Sequence, residues 1–317
     1  MFFPVAGLEL NPLIPILSAF LISFFTSMGG ISGAFLLLPF QVSVLGFSSP
    51  AVSATNLLYN VIAIPGGAGR YIKEKRMAWT LAGGMIAGGL PGIFLGMIFR
   101  VKFFPDPKRF KFFAGIVLLL LGLRMIINLL GKRKSGRSFG NIFDSPKTKN
   151  YFERDTEKNE VRKRINSAVS TNKFGLSQSS FVFAGNKYVF STLKVVFLSF
   201  IIGIAGGIYG IGGGAFLAPL MVAVFRLPVH AAAGALLLGT WSLSIAGVGF
   251  YSLAAPYFPD IWVKPDWMLG LCFGIGGFGG IYCGARFQKY ISSAVIEWII
   301  TACILFIAFR YLIGLVR

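Results

Sequence analysis

Apolar residues fall into ten blocks along this chain, separated by polar stretches. The first five are 11–28, 31–45, 50–66, 78–99 and 110–131; the second five are 190–209, 211–225, 230–254, 267–285 and 292–313. As helices, most of these blocks reach across a hydrocarbon layer of about 30 Å. Blocks 31–45 and 211–225 are short for a full crossing, start in glycines and each contain a proline, Pro39 and Pro219. The pattern predicts a broken or half-length helix in each place, enclosed by protein, because lipid offers irregular backbone no hydrogen-bond partners. Between the two sets of five lies 132–187, polar and rich in Ser, Asn and Lys, with no sustained apolar period. It reads as a hydrophilic linker unable to bury enough surface to fold alone.

The two sets of blocks are related. At a constant offset of 180, Gly30, Ile31, Gly33, Pro39, Val44 and Ala51 fall on Gly210, Ile211, Gly213, Pro219, Val224 and Ala231. At an offset of 188, Trp79, Gly88, Gly89, Gly92 and Gly96 fall on Trp267, Gly276, Gly277, Gly280 and Gly284. An odd number of crossings per half inverts the second half relative to the first. The expected fold is therefore all-α: a polytopic membrane protein of two inverted repeats, about five membrane segments each, with short broken helices. The expected units are 1–131, the linker 132–187 on the cytoplasmic side, and 188–317. Paired Gly/Pro-interrupted segments in matching halves point to a secondary transporter. Charge supports an outside N-terminus, with the basic loop 67–77 and the linker inside. The basic loop 100–111 lands outside, against that rule.

Composition narrows the classes. A chain that is 55% apolar and 13% charged is too apolar for a soluble protein of this length. Its net charge of +19 invites a nucleic-acid reading, but the linker holds thirteen Lys/Arg against five Asp/Glu, and most of the rest sits in short loops. Basic loops of a membrane protein account for that charge, so no nucleic-acid partner is expected. Cys272, Cys283 and Cys303 lie inside predicted helices with no Cys/His cluster, so neither a metal nor a cofactor is expected. The first apolar block lacks a basic flank and a small-residue cleavage site, so it is not read as a cleavable leader.

Of eleven acids, ten fall in predicted loops or tails, and Glu297 sits near the start of a helix. Cation carriers usually need an intramembrane carboxylate to balance the cargo. Here the blocks offer Arg124 and Arg310 instead, matched at offset 186, which favours an anionic substrate. Both also suit a bland role, snorkelling from a helix end. Gly30 and Gly33 open one short helix, and Gly210, Gly212, Gly213 and Gly214 open its counterpart. Helix N-termini present unpaired N–H groups and a positive dipole end, and glycine lets a ligand approach them. These residues are candidate anion binders, with close helix packing as the alternative. For Gly88, Gly92, Gly96, Gly276, Gly280 and Gly284, packing is the better reading. Ser32, Thr55, Asn56, Asn60 and Thr240 add polar groups around the short helices, with Asn60 and Thr240 at matched positions. His230, the one histidine, is a candidate coupling group or a helix-start residue.

Gly207, the run Gly210-Ile211-Gly212-Gly213-Gly214, Pro219 and Leu220, followed by Pro228, His230 and Ala231–Gly234, resemble the signature half of the TauE/SafE family, also called the 4-toluene sulfonate uptake permease family. The first half carries a degenerate copy, with Ser53-Ala54-Thr55-Asn56 where the family tends to show Gly/Ala-Thr-Ser. The resemblance spans nearly all the chain outside 132–187. It implies movement of sulfite, an organosulfonate or a related anion across the cytoplasmic membrane, with direction left open. Partners implied are a small anion and the bilayer, with a homodimer as an open alternative. Competing readings are an anion channel and an intramembrane serine protease using Ser32 of Gly30-Ile31-Ser32-Gly33 with His230 as base.

Overall fold

A computed structural model describes residues 1–28, 32–73, 75, 77–135, 169–173, 175, 177–183, 186–213, 216–217, 221, 225, 229–287 and 293–313. It is mostly helical. The helices are α1 (Leu13–Met28), α2 (Ala34–Ser43), α3 (Ala51–Ala63), α4 (Pro65–Lys73), α5 (Trp79–Lys102), α6 (Pro107–Ser135), α7 (Thr192–Tyr209), α8 (Val229–Ala254), α9 (Trp267–Phe287) and α10 (Ser293–Ile313). Among the described residues, five stretches are long and apolar enough to cross a membrane: Trp79–Lys102, Pro107–Ile127, Thr192–Tyr209, Ala232–Tyr257 and Trp267–Gly284. Shorter apolar helices accompany them. Rows of large apolar side chains stay exposed, such as Leu17, Leu21 and Phe25 on α1 and Leu120, Leu123 and Ile127 on α6. Such faces suit lipid rather than water. The chain is a polytopic membrane protein.

Local signals set the helix starts. Asn11 Oδ1 accepts from Leu13 N at 3.0 Å, and Asp106 Oδ1 accepts from Lys108 N at 3.1 Å with Pro107 in the first helical position. Asp266 caps α9, its Oδ1 accepting from Leu269 N at 3.0 Å.

The glycine strips decide the packing. A Cβ on Gly88, Gly92 or Gly96 would strike the backbone carbonyls of Val196, Phe200 and Ile204, so α5 lies backbone to backbone on α7. Gly203 and Gly207 answer from α7: a Cβ there would come within 2.8 Å of Gly89 O and 2.7 Å of Ile93 O. Gly276, Gly280 and Gly284 do the same on α9 against Ile16, Phe20 and Phe24 of α1. Smooth glycine faces of this kind let membrane helices gain van der Waals contact at close range. Helix α6 packs on α10, and α3 packs on both α8 and α9.

Three features depart from the all-α expectation and its boundaries. Residues 65–73, expected within or beside a loop, form α4, because Pro65 suits a first helical position and Ile64 ends α3. Strands β1 (Phe2–Phe3) and β2 (Leu8–Glu9) make an N-terminal hairpin. Strands β3 (Val169–Lys173), β4 (Gln178–Phe183) and β5 (Asn186–Ser191) make an antiparallel sheet inside the stretch read as linker. Phe181 and Phe190 are buried there against Ala78, Leu81 and Val195, at the starts of α5 and α7. The expected boundary at 187/188 cuts through β5, which leads directly into α7. The short alternations of this sheet are masked by serines in the sequence. Residues 136–168 of the expected linker lie outside the described residues.

Candidate functional site

Helix α2 is interrupted chemically by Pro39. Proline has no N–H, so the carbonyl four residues back, Phe35 O, loses its helical donor. Tyr209, the last residue of α7, supplies one: its hydroxyl donates to Phe35 O at 3.1 Å, and the rings stack with centroids 5.5 Å apart. One residue later α7 ends. Gly210 takes a left-handed conformation (φ 82°), and the N–H groups of Gly210 and Ile211 both return to Gly206 O, at 2.8 and 3.0 Å. This is a glycine helix stop.

Asn56 of α3 joins the two segments. Its Nδ2 donates to Ala34 O at 2.9 Å, at the start of α2, and to Gly210 O at 3.0 Å; its Oδ1 accepts from Gln41 Nε2 at 3.2 Å. Ser53, one turn earlier, donates to Ile208 O at 2.8 Å. The start of one interrupted segment and the turn leading into the other thus meet against one face of α3, far from water.

The glycines are used differently from the expectation. Gly210 ends a helix instead of opening one, and its N–H is spent inside α7. Gly212 and Gly213 also have positive φ, 67° and 84°, which glycine tolerates at little cost. Gly213 O accepts the first bonds of the following turn, from Phe216 N and Leu217 N at 3.1 Å each. Gly33 has ordinary helical φ, and its missing side chain makes room for the Ser23–Tyr59 hydroxyl pair, 2.7 Å apart. Gly30 and Gly214 lie outside the described residues.

Among the polar candidates, Asn60 stands apart. It is wholly buried one turn beyond Asn56, and neither its Nδ2 nor its Oδ1 has a partner. A buried polar group without a partner costs about 1–3 kcal/mol. Thr240, its counterpart in the second half, donates to Leu236 O at 2.7 Å. Ser244, one turn further on α8 and one of the polar residues that follow the second short segment in the sequence, is buried with its hydroxyl unpaired, and a Cβ on Gly212 would come within 2.5 Å of it.

Thr55 does not face this junction. Its hydroxyl donates to Ala51 O at 2.8 Å and accepts from Asp266 N at 2.9 Å. Asp266, expected in an outer loop, is buried; its Oδ2 accepts from Val5 N and Ala6 N at 3.2 and 3.1 Å, pinning the N-terminal hairpin onto α9. Ser32 is half-buried, with its carbonyl accepting from Phe35 N at 3.2 Å. Arg124 is half-buried and Arg310 is exposed on the outside of α10, so neither joins the cluster around Asn60. His230 lies in the first turn of α8, and its side chain is outside the described residues. The buried cation that sequence reasoning missed is Arg100, expected in the loop 100–111. It sits in the last turn of α5 and donates to Ser53 Oγ (3.2 Å), Ser48 O and Ser49 O (3.1 Å each) and Phe104 O. Its guanidinium also lies 3.7 Å over the Phe110 ring.

The chain matches the family model described as "Sulfite exporter TauE/SafE" over residues 15–311. No curated protein and no solved structure matches it.

Proposed function

This chain belongs to the TauE/SafE family, a family of membrane transporters, and on that premise we propose that it is a secondary carrier of a small sulfur oxyanion, sulfite or an organosulfonate. The observation that carries the proposal is the Asn56 junction, where interrupted segments from the two halves of the chain share one side chain beside the unpaired Asn60 amide. Carriers built from repeats bind substrate where such segments meet.

The proposal includes two inverted repeats, 1–131 and 188–317, on either side of 132–187, in the cytoplasmic membrane. Helix pairing supports it. The first apolar block of each half packs on the fourth block of the other (α1 on α9, α7 on α5), while third packs on third (α3 on α8) and fifth on fifth (α6 on α10). Exchanging the halves leaves this pairing unchanged, as a two-fold relation requires. Transport by a rocking motion needs no catalytic group, and the family premise favours it over peptide hydrolysis at Ser32.

Labelled sulfite uptake into liposomes holding the purified protein tests this. Saturable uptake above protein-free liposomes is expected, lost in Asn56→Leu. Uptake that rises linearly with concentration would indicate a channel, and no uptake of any sulfur oxyanion would reject the proposal.

A further inference from the structure

Asn60 and Ser244 are buried polar residues on two helices that pack together, α3 and α8. Leu57 on α3 fills the space left by Gly247 on α8, and Trp241 Nε1 donates to Val61 O at 3.0 Å. The two helices therefore run antiparallel along this seam, and Asn60 and Ser244, each lying between those contacts, come level with each other. The turn at Gly212 closes the third side: a Cβ there would come within 2.5 Å of Ser244 Oγ and 2.9 Å of Thr240 O. Asn60 and Ser244 are both fully enclosed, and both amide atoms and the hydroxyl lack partners. Because both ends of the amide are free, the conclusion does not depend on which end is oxygen.

The pocket's chemistry specifies its ligand. Asn60 offers two N–H donors and one carbonyl acceptor; Ser244 offers one O–H and its lone pairs. A dianion such as sulfate brings acceptors only. It would set a negative charge against Asn60 Oδ1 and place two charges among neutral groups, where burial of charge is costly. A monoanion with its own O–H or N–H meets every group. We propose that this pocket selects a monoanion carrying a hydrogen-bond donor, namely hydrogensulfite or a hydroxysulfonate. The oxyanion receives the Asn60 amide and the Ser244 hydroxyl, and the donor reaches Asn60 Oδ1. This rests on the anion-carrier reading and adds which protonation state and substituent the carrier takes.

Binding to the detergent-solubilised protein tests it, read from Trp241 fluorescence with Trp241→Phe as the control. The probes are 2-hydroxyethanesulfonate and ethanesulfonate, which differ by one hydroxyl, with sulfate as the dianion. The hydroxylated probe should bind about tenfold tighter or better, because a site built to pair a hydroxyl rejects the analogue lacking it. Asn60→Leu should erase that preference while raising the melting temperature of the ligand-free protein, an outcome a purely structural asparagine would not give. Ser244→Ala should weaken both probes alike. Equal affinities, tighter sulfate, no binding at all, or a preference that survives Asn60→Leu would each overturn the pocket assignment. Sulfite transport with no hydroxyl preference would leave the carrier standing and reject the pocket. Asn60-dependent binding with no sulfur oxyanion crossing the bilayer would do the reverse.

Discussion

A guanidinium enclosed by protein persists only if its N–H groups find acceptors, and Arg100 finds four, all neutral. Three are backbone carbonyls, at Ser48, Ser49 and Phe104, so the side chain staples the α2–α3 connection to the end of α5. The fourth, Ser53 Oγ, donates its own O–H to Ile208 O, next to the glycine stop of α7. Arg100→Met should leave the Ser48 and Phe104 carbonyls without a donor, while Ser49 O keeps Val52 N, and destabilise the protein by about 2 kcal/mol, at roughly 1 kcal/mol for each orphaned acceptor. Arg100→Lys keeps the charge but cannot fork to four sites, and should fall between the two. Thermal unfolding in detergent measures this; a methionine variant as stable as the parent would show that the staple carries no weight. Nothing along the sequence marks Arg100. It stands in a cluster of basic residues beside a turn, and three of its four acceptors lie about 50 positions away. Thr55 and Asn56 show the opposite: their polarity was legible and their partners were not, being Asp266, Ala51, Ala34, Gly210 and Gln41.

Among the elements, glycine spacing was the most readable feature, since i, i+4 and i+8 fall on one helix face whatever the fold. The partner was not readable, because a smooth face does not name what covers it. The two faces meet α7 and α1, each in the opposite half of the chain. This makes a paired test. Gly92→Ala puts a methyl into the Phe200 carbonyl and forces α5 away from α7, an overpacking that should cost about 1–3 kcal/mol. Gly249→Ala, in α8, meets nothing within 4 Å and should gain a few tenths to about 1 kcal/mol from helix propensity alone. Opposite shifts in melting temperature are expected, and equal shifts would mean that the α5–α7 contact is looser than described. The sheet at 169–191 was not legible because each strand is short and serine-rich, and its phenylalanines find their cover on α5 and α7, outside the segment itself.

At the scale of the whole molecule, the halves recognised in the sequence are not separate bodies. The closest contacts, α1 with α9 and α5 with α7, both run between them, and α6 with α10 is a third. Each half taken alone would expose a glycine face shaped for a helix it lacks, and α3 would lose α8 and α9. The stretch 136–168 that joins the halves is, by contrast, polar in sequence and has no sustained apolar period. A break within 136–168 should therefore be tolerated when both pieces are made together. Residues 1–150 and 151–317, co-expressed with an affinity tag on the first piece only, should co-purify in equal amounts and melt within a few degrees of the intact chain. Either piece expressed alone should be degraded or aggregate, because closely packed helices rather than chain connectivity hold the bundle. A stable, monodisperse first piece on its own would contradict the interlocked arrangement. Recovery of sulfite uptake by the paired pieces would show further that the moving bodies are sets of helices drawn from both halves, with the glycine-faced pairs travelling as units.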